Sequence, residues 1–447
     1  MTELTTRENL WEAPLACGPL DATIEVPGSK SLSNRYLVLA ALGSNPVRLE
    51  GLLRSRDTEL MMTALEQLGV ICETDTSDET VVTVVPPRAG EFRGNIRVFC
   101  GLAGTVMRFV PALALYADGP VYFDGDNQAY KRPMKPLLDG LEQLGAKITY
   151  EGIKGHLPFT VIPPTDYQLH EDKHISIDSS ASSQFISGLL LASARWDGEI
   201  TVTHTGKTLP SMPHIRMTMT DIATAGGKAT YKHKTWSVPT HTVQLPSNIV
   251  IEPDLSNAAP FLGAALIAGG TVRVPRWPSS STQPGALLPG YLRDFGGDVT
   301  FDEDTHVLSV TGNGSIEGLG TYDLSPAGEI APSLAALAAL AREDSTFTGI
   351  AHLRGHETDR LAALTTEINR FGGRAEQTMD GLTIHAVSRD NLHGEVMESY
   401  ADHRMATFAA MIGLVVPHTC IRHIETTKKT IPDFVGMWTT MVGHKND

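Results

Sequence analysis

Apolar residues recur at i, i+3, i+4 and i+7 through several stretches of the chain, and each stretch stops at a glycine. A run of alternating apolar and polar residues usually follows. The pattern predicts an amphipathic helix, a glycine stop and then a strand pair. Residues 59–68 lead to Gly69 and VICE, and residues 136–144 lead to Gly145 and AKITY. Gly226 precedes KATYK, Gly296 precedes DVTFD, residues 360–371 end at Gly372, and a weaker copy over Phe434–Val442 ends at Gly443. The intervals between these glycines are 76, 81, 70, 76 and 71 residues, so six copies account for the chain. Helix ends of this kind are common in any α/β protein; the near-equal spacing of six is what argues for a repeat. Helices alternating with strands predict sheets covered by helices, and units this irregular fit two domains of three units better than a solenoid.

Composition narrows the function. Lys and Arg number 36 against 51 Asp and Glu, a net charge of −15. Such a chain lacks the long-range field of a nucleic-acid or anionic-membrane binder, so an anionic ligand needs a locally basic pocket. Cys17, Cys72, Cys100 and Cys420 form no CxxC pair, which argues against a structural zinc site or a disulfide framework. The polar start MTELTTRENLWEAPLACG has no apolar signal core, and the Ala-rich run 331–341 is about half a membrane span. These features predict a soluble, cytoplasmic protein.

Several segments carry candidate chemistry. PGSKSLSNR (27–35) breaks a strand and starts a helix, with Ser29 or Ser31 as cap and Lys30, Ser31 and Arg35 near an N-terminus suited to anions. It lacks the first glycine of a phosphate-binding Walker loop, and a capped surface helix explains it equally well. In CGLAGTVMR (100–108), Gly101 and Gly104 permit close backbone approach and Thr105 can cap the next helix, although a tight turn needs no more. Arg132 in YKRPM offers a planar fork for a carboxylate. The run DSSASSQ (178–184) has more hydroxyl and amide groups than a cap needs, and Ser211 repeats the pattern. Glu329 opens an Ala/Leu helix, where a lone carboxylate is ordinarily a dipole partner and becomes a base only beside an anion site. HLRGHETDR (352–360) holds two His, two Arg and two carboxylates without a zinc-ligand spacing. YADHRM (400–405) and TKKTIPD (427–433) add Arg404, Lys428 and Lys429. Together Lys30, Arg35, Arg132, Arg360, Arg404 and Lys429 would make one strongly basic pocket.

Taken together, PGSKSLSNR, LAGTVMR, KRPM, SSASSQF, RGHETDR, YADHRMA and KKTIPDF resemble, in this order and over nearly the full length, the 5-enolpyruvylshikimate-3-phosphate synthase family of enolpyruvyl transferases. The resemblance implies a two-domain inside-out α/β barrel, each domain made of three βαβαββ repeats, with the active site in the interdomain cleft. The domains would be 1–28 with 252–447, and 29–251. The implied reaction moves the enolpyruvyl group of phosphoenolpyruvate to the 5-hydroxyl of shikimate 3-phosphate, releasing phosphate through a tetrahedral intermediate, on the shikimate pathway to chorismate and the aromatic amino acids. Lys30, Ser31, Arg35, Ser182, Ser183, Gln184, Ser211, Glu329 and His356 would hold shikimate 3-phosphate. Lys30, Gly104, Arg132, Gln184, Arg360, Arg404 and Lys429 would hold phosphoenolpyruvate. Glu329, Lys30 and His356 would be catalytic, Glu329 as proton acceptor and Lys30 as donor to the methylene carbon. The resemblance implies no metal, no organic cofactor, no nucleic-acid or membrane partner, and a monomer.

Some positions depart from the commonest family pattern. Glu329 stands for Asp, His356 for Lys, His352 for Asn, Leu102 for Asn, His214 for Tyr and Phe109 for Pro. A histidine at 356 makes local charge depend on pH near neutrality. A UDP-N-acetylglucosamine enolpyruvyl transferase would instead carry Lys-Asn at 30–31 and a Cys on a mobile Gly-rich loop, which this chain lacks. A non-catalytic anion binder would not need Lys30, Glu329, Arg360 and Arg404 together.

Overall fold

Gly69, Gly145, Gly226, Gly296, Gly372 and Gly443 all have positive φ, between 84° and 98°. Each follows a helix, and left-handed backbone costs glycine nothing there. The helices are Arg56–Gln67, Lys135–Gln143, Met212–Thr224, Leu288–Asp294, Arg360–Arg370 and Phe434–Val442. The computed structural model describes residues 9–87, 91–164, 172–209, 211–355 and 357–443.

One repeat shows the plan. Strand Ile96–Phe99, helix Gly104–Leu113, strand Val121–Asp124, helix Lys135–Gln143 and strands Lys147–Tyr150 and Phe159–Ile162 form a βαβαββ unit. Its first two strands pair in parallel, and the second pairs antiparallel with the last, which also carries the third. Lys173–Ile177 through Thr235–Val238 repeats the order, as does Gly320–Asp323 through Leu382–His385.

The other three sheets borrow a strand from far along the chain. Asn248–Val250 pairs in parallel with Val47–Glu50, and Leu20–Thr23 pairs in parallel with Gly270–Val274. Leu10–Glu12 joins Cys420–Arg422, which lies parallel to Val396–Glu398. Thus Gly28–Glu252 forms one compact unit, and Pro253–Asp447 with the stretch up to Pro27 forms the other. Each unit holds three sheets, and among the described strands none closes into a barrel.

Helices occupy the middle of each unit. Ala259–Ala268 and Ala331–Ala339 are apolar nearly all round and buried along their length, as expected of central helices. They pack against one another and against His403–Gly413. In the other unit Gly104–Leu113 and Gln184–Ser193 fill the same place. Among the described residues no helix is long and apolar enough to cross a membrane.

Two caps differ in outcome. Ser29 caps its helix, its Oγ accepting the Leu32 N–H at 3.4 Å. Thr105 caps nothing: a turn from Cys100 to Ala103 starts the next helix at Gly104, two residues before a Thr105 cap would start it, and the Thr105 hydroxyl is buried without a partner.

Helices Gly104–Leu113 and Gln184–Ser193 touch backbone to backbone at Gly188, where a Cβ would stand 2.1 Å from the Arg108 carbonyl oxygen. Helix propensity alone would make Gly188→Ala stabilising by about 1 kcal/mol. Overpacking costs about 1–3 kcal/mol and should win. Urea unfolding should show a lower midpoint for the variant at unchanged slope; an equal or higher midpoint would refute this contact.

Candidate functional site

In the unit Gly28–Glu252 the loop before the first helix runs backbone against backbone, since a Cβ on Gly28 would meet the Gly51 carbonyl oxygen at 1.9 Å. That close approach sets the start of helix Lys30–Leu42. Lys30 Nζ stands 3.5 Å from Asp57 Oδ2. Arg35 lies one turn further and is 1% exposed. Its Nε donates to Thr218 Oγ1 at 2.8 Å, and its terminal nitrogens donate to the Ser31 and His214 carbonyls at 2.9 and 3.1 Å. Asp221 Oδ2 stands 3.8 Å from Arg35 Nε. Burial pushes the Asp221 carboxyl up to about 7 against the pull of Arg35. Arg35 therefore braces helix Lys30–Leu42 against Met212–Thr224 whatever else it touches.

Three of the expected residues meet at Gly104. A Cβ there would fall 3.2 Å from an Arg132 nitrogen, 3.3 Å from Gln184 Oε1 and 3.3 Å from an Arg108 nitrogen. Arg132 also donates to the Leu102 carbonyl at 3.0 Å. Arg108 was not anticipated as a site residue. It is buried, donates to the Gly104 carbonyl at 3.3 Å, and its Nε has no hydrogen-bond partner. Burial, then repulsion from Arg132, pulls its pKa down. A bare backbone and two guanidinium groups at a helix start are suited to an anion.

The Ser-rich run forms turns ahead of helix Gln184–Ser193, with Ser182 Oγ accepting the Gln184 N–H at 3.3 Å and Ser183 buried at the N-cap. Ser211 is the N-cap of Met212–Thr224 and has φ of 54°. Ser31 is half-buried and keeps its carbonyl on Arg35.

The other unit holds a denser cluster. Gly328–Ile330 forms a single 3-10 turn that leads Glu329 into helix Ala331–Ala339. Glu329 accepts from Ser256 Oγ at 2.5 Å, and an Arg404 nitrogen lies 3.7 Å away. A Cβ on Gly328 would fall 2.8 Å from His352 Nε2, so the His352 ring would have to shift to admit one. Arg360 grips Asp402 with two bonds, at 2.7 and 3.1 Å, and both are buried. Asp402 also caps helix His403–Gly413 by accepting the Arg404 N–H at 2.9 Å. Lys429 donates to Glu357, whose other oxygen faces His403 Nδ1 at 3.2 Å. His356 lies outside the described residues.

Charge in this cluster follows from burial and neighbours. Burial works against an ionised Glu357, but the His403 ring, once protonated at low pH, and the Lys429 ammonium outweigh it and hold the carboxyl well below its usual range. Burial pushes His403 down to about 4 despite the carboxylates beside it. At neutral pH the ring is therefore neutral, and Lys429 is the standing cation. Burial likewise opposes an ionised Asp402, and Arg360 overcomes it. One ligand atom each from Glu357, Asp402 and His403 lies within 4.8 Å of the others. A metal there would have to displace Lys429 and Arg360 from their carboxylates.

Glu357, Asp402, His403, Asp57 and Ser256 were not anticipated from sequence as site residues. Three of them stand inside the same motifs as the arginines, in RGHETDR and YADHRMA. An acidic residue beside each cation was the available signal.

The family model described as EPSP synthase (3-phosphoshikimate 1-carboxyvinyltransferase) matches residues 16–438. A 3-phosphoshikimate 1-carboxyvinyltransferase of Bifidobacterium longum (strain DJO10A) is 61% identical over 446 residues, covering 99% of this chain and 100% of the relative. One from Kocuria rhizophila is 46% identical, covering 98% and 97%. Among solved structures, an EPSP synthase from Acinetobacter baumannii superposes with a TM-score of 0.80 at 24% identity, over 96% of this chain and 97% of that one, which is a likeness of fold.

The neutral, buried His403 predicts an acid-side loss of stability. Its folded pKa is depressed to about 4, so between about 6.5 and 4 the unfolded chain binds a proton that the folded chain refuses. Stability should fall by about 2 kcal/mol from pH 7 to pH 5 through this one group, at ~1.4 kcal/mol per pH unit. His403→Asn keeps a donor for Glu357 and should lose about 2 kcal/mol less over that interval. Urea unfolding at both pH values measures it; parallel losses in the two proteins would remove His403 as the cause.

Proposed function

The chain belongs to the EPSP synthase family, and from that premise we propose that it transfers the enolpyruvyl group of phosphoenolpyruvate to the 5-hydroxyl of shikimate 3-phosphate and releases phosphate. Membership makes it a transferase of aromatic amino-acid biosynthesis. The finer assignment rests on chemistry. Both substrates are anions, and they repel one another. Holding them in attack geometry takes fixed cations, and fixed geometry is itself a large share of the rate.

In this reading Lys30, Gly104, Arg132, Gln184, Arg360, Arg404 and Lys429 hold phosphoenolpyruvate. Ser31, Arg35, Ser182, Ser183, Gln184 and Ser211, with Lys30, Glu329 and His356, serve shikimate 3-phosphate. Glu329 takes the proton of the 5-hydroxyl as its oxygen bonds to C2 of phosphoenolpyruvate, and Lys30 protonates the methylene carbon. The resulting tetrahedral intermediate returns a proton from the new methyl group to the Lys30 amine as the C2–O bond to phosphate breaks. Cations around the site stabilise charge as it builds on the leaving phosphate.

The observation that carries the reading is Glu329 itself: a partly exposed carboxylate held by Ser256 Oγ at 2.5 Å, with Arg404 3.7 Å away. A carboxylate aimed by a hydroxyl and flanked by a cation is poised to accept a proton beside an anion.

Phosphate release should require both substrates, and a coupled phosphate assay omitting each in turn tests this. Release that persists without shikimate 3-phosphate would defeat the assignment. Glu329→Gln keeps shape and hydrogen bonding but cannot take the proton, so kcat should fall about 10²- to 10⁴-fold. Calorimetric affinities for both substrates should stay within about threefold, under 1 kcal/mol. Near-normal turnover in the variant would assign the base elsewhere.

A further inference from the structure

Helix Arg360–Arg370 carries a second buried charge seven residues beyond Arg360. Seven residues are close to two turns, so Arg360 and Glu367 share a face. Glu367 is 0% exposed. Its Oε1 accepts from the Tyr400 hydroxyl at 2.6 Å. Its Oε2 accepts the Glu398 N–H at 3.3 Å and lies 3.6 Å from an Arg370 nitrogen. One helix face thus grips the chain twice, at Tyr400 through Glu367 and at Asp402 through Arg360.

The gripped segment is strained. The Asp402 N–H donates to the Ser399 carbonyl at 2.8 Å, closing a four-residue turn. Its two central residues, Tyr400 and Ala401, both have φ of 55°. Two successive positive φ values are the pattern of a type I′ turn, which favours Asn-Gly. Tyr and Ala carry a Cβ that crowds the carbonyl in this conformation. Asp402, next in the chain, pairs with Arg360 and caps the helix bearing Arg404.

We propose that Glu367 and Tyr400 are positioning residues: their part-buried hydrogen bond holds the strained turn 399–402 and so sets the aim of Arg360 and Arg404 toward phosphoenolpyruvate. The proposal rests on the reading of those two arginines given under Proposed function. Neither Glu367 nor Tyr400 need touch a substrate. A buried carboxylate is an expensive way to fill a core site, and an apolar residue of like volume would often serve stability as well. What a single short bond at a fixed point supplies is direction.

The test is steady-state kinetics on the full chain. Tyr400→Phe removes the hydroxyl and keeps the ring. The KM for phosphoenolpyruvate should rise about tenfold, the effect of one hydrogen bond, while that for shikimate 3-phosphate stays within about twofold. Adding Ala401→Gly relieves the strain at one of the two central positions, so the double variant should recover at least part of the loss. Equal rises in both KM values, an unchanged KM for phosphoenolpyruvate, or no recovery in the double variant would overturn the proposal. If Tyr400→Phe does not fold, Glu367→Met, which keeps the volume but removes the acceptor, takes its place in the same comparison with the same criteria. If the unaltered chain releases no phosphate from the substrate pair, the functional reading is what has failed. The turn is then judged by urea unfolding alone. Ala401→Gly should raise the midpoint more in the Tyr400→Phe background than in the parent, and equal increments would overturn the clamp.

Discussion

A buried cation must have an anion or a dipole to answer it, and most of this chain's candidate site follows from that constraint. Arg360 and Asp402 are the clearest case, both almost fully buried and joined by two bonds. Lys429 has Glu357, Lys30 has Asp57, Arg35 has Asp221, and Arg404 has Glu329, each within its own unit. Arg132 and Arg108 lean on carbonyls at Leu102 and Gly104. Breaking the Arg360–Asp402 pair leaves an uncompensated buried charge, at a cost of about 3–5 kcal/mol. The carboxylates therefore fix the cations more than they add stability. A protein of net charge −15 can in this way keep local positive groups without a basic surface.

The repeat explains where these groups stand. Lys30, Gly104, Gln184 and Arg360 are each the first residue of a helix, Arg404 is the second of another, and Ser211 caps a sixth. Helix starts carry unpaired N–H groups and partial positive charge, so a cation there is unfavourable by itself. It becomes favourable once a carboxylate, or an anionic ligand, lies against it. A βαβαββ unit offers one such helix start after each parallel strand, which gives six units many places for a single kind of chemistry.

Local features of this arrangement were legible in the sequence, and distant ones were not. The six glycines could be read because a helix stop is written in neighbouring residues. The cations could be read because they cluster in short motifs. Their partners could not: Arg360 and Asp402 are 42 residues apart, and Lys429 and Glu357 are 72 apart. No periodicity links such positions. The strand borrowed by Val47–Glu50 lies about 200 residues downstream, and only the tertiary structure sets that register. Thr105 shows the reverse failure. Its side chain suits a cap, but a turn among Cys100–Ala103 starts the helix first and leaves the hydroxyl buried. Arg108 was hidden because an arginine within an apolar helix reads as a solvated residue until its neighbours are known.

Left-handed backbone at residues with side chains occurs in framework turns such as His233–Lys234 and His306, and also directly ahead of candidate groups. Where the chain only needs to end a helix, a glycine takes the left-handed conformation, as at all six repeat ends. Three elements that present candidate groups are instead preceded by side-chain-bearing residues at positive φ: Ser211 before Met212–Thr224, Tyr400 and Ala401 before Asp402, and His423 before Ile424–Lys429. Each such residue costs roughly 1–3 kcal/mol and persists only where its surroundings over-determine it. Glycine would remove the strain, but it would also let the backbone wander among several conformations. A cation that must meet an anion within a few tenths of an ångström gains from a strained but single conformation, because the energy is spent once in folding and not again at each binding event.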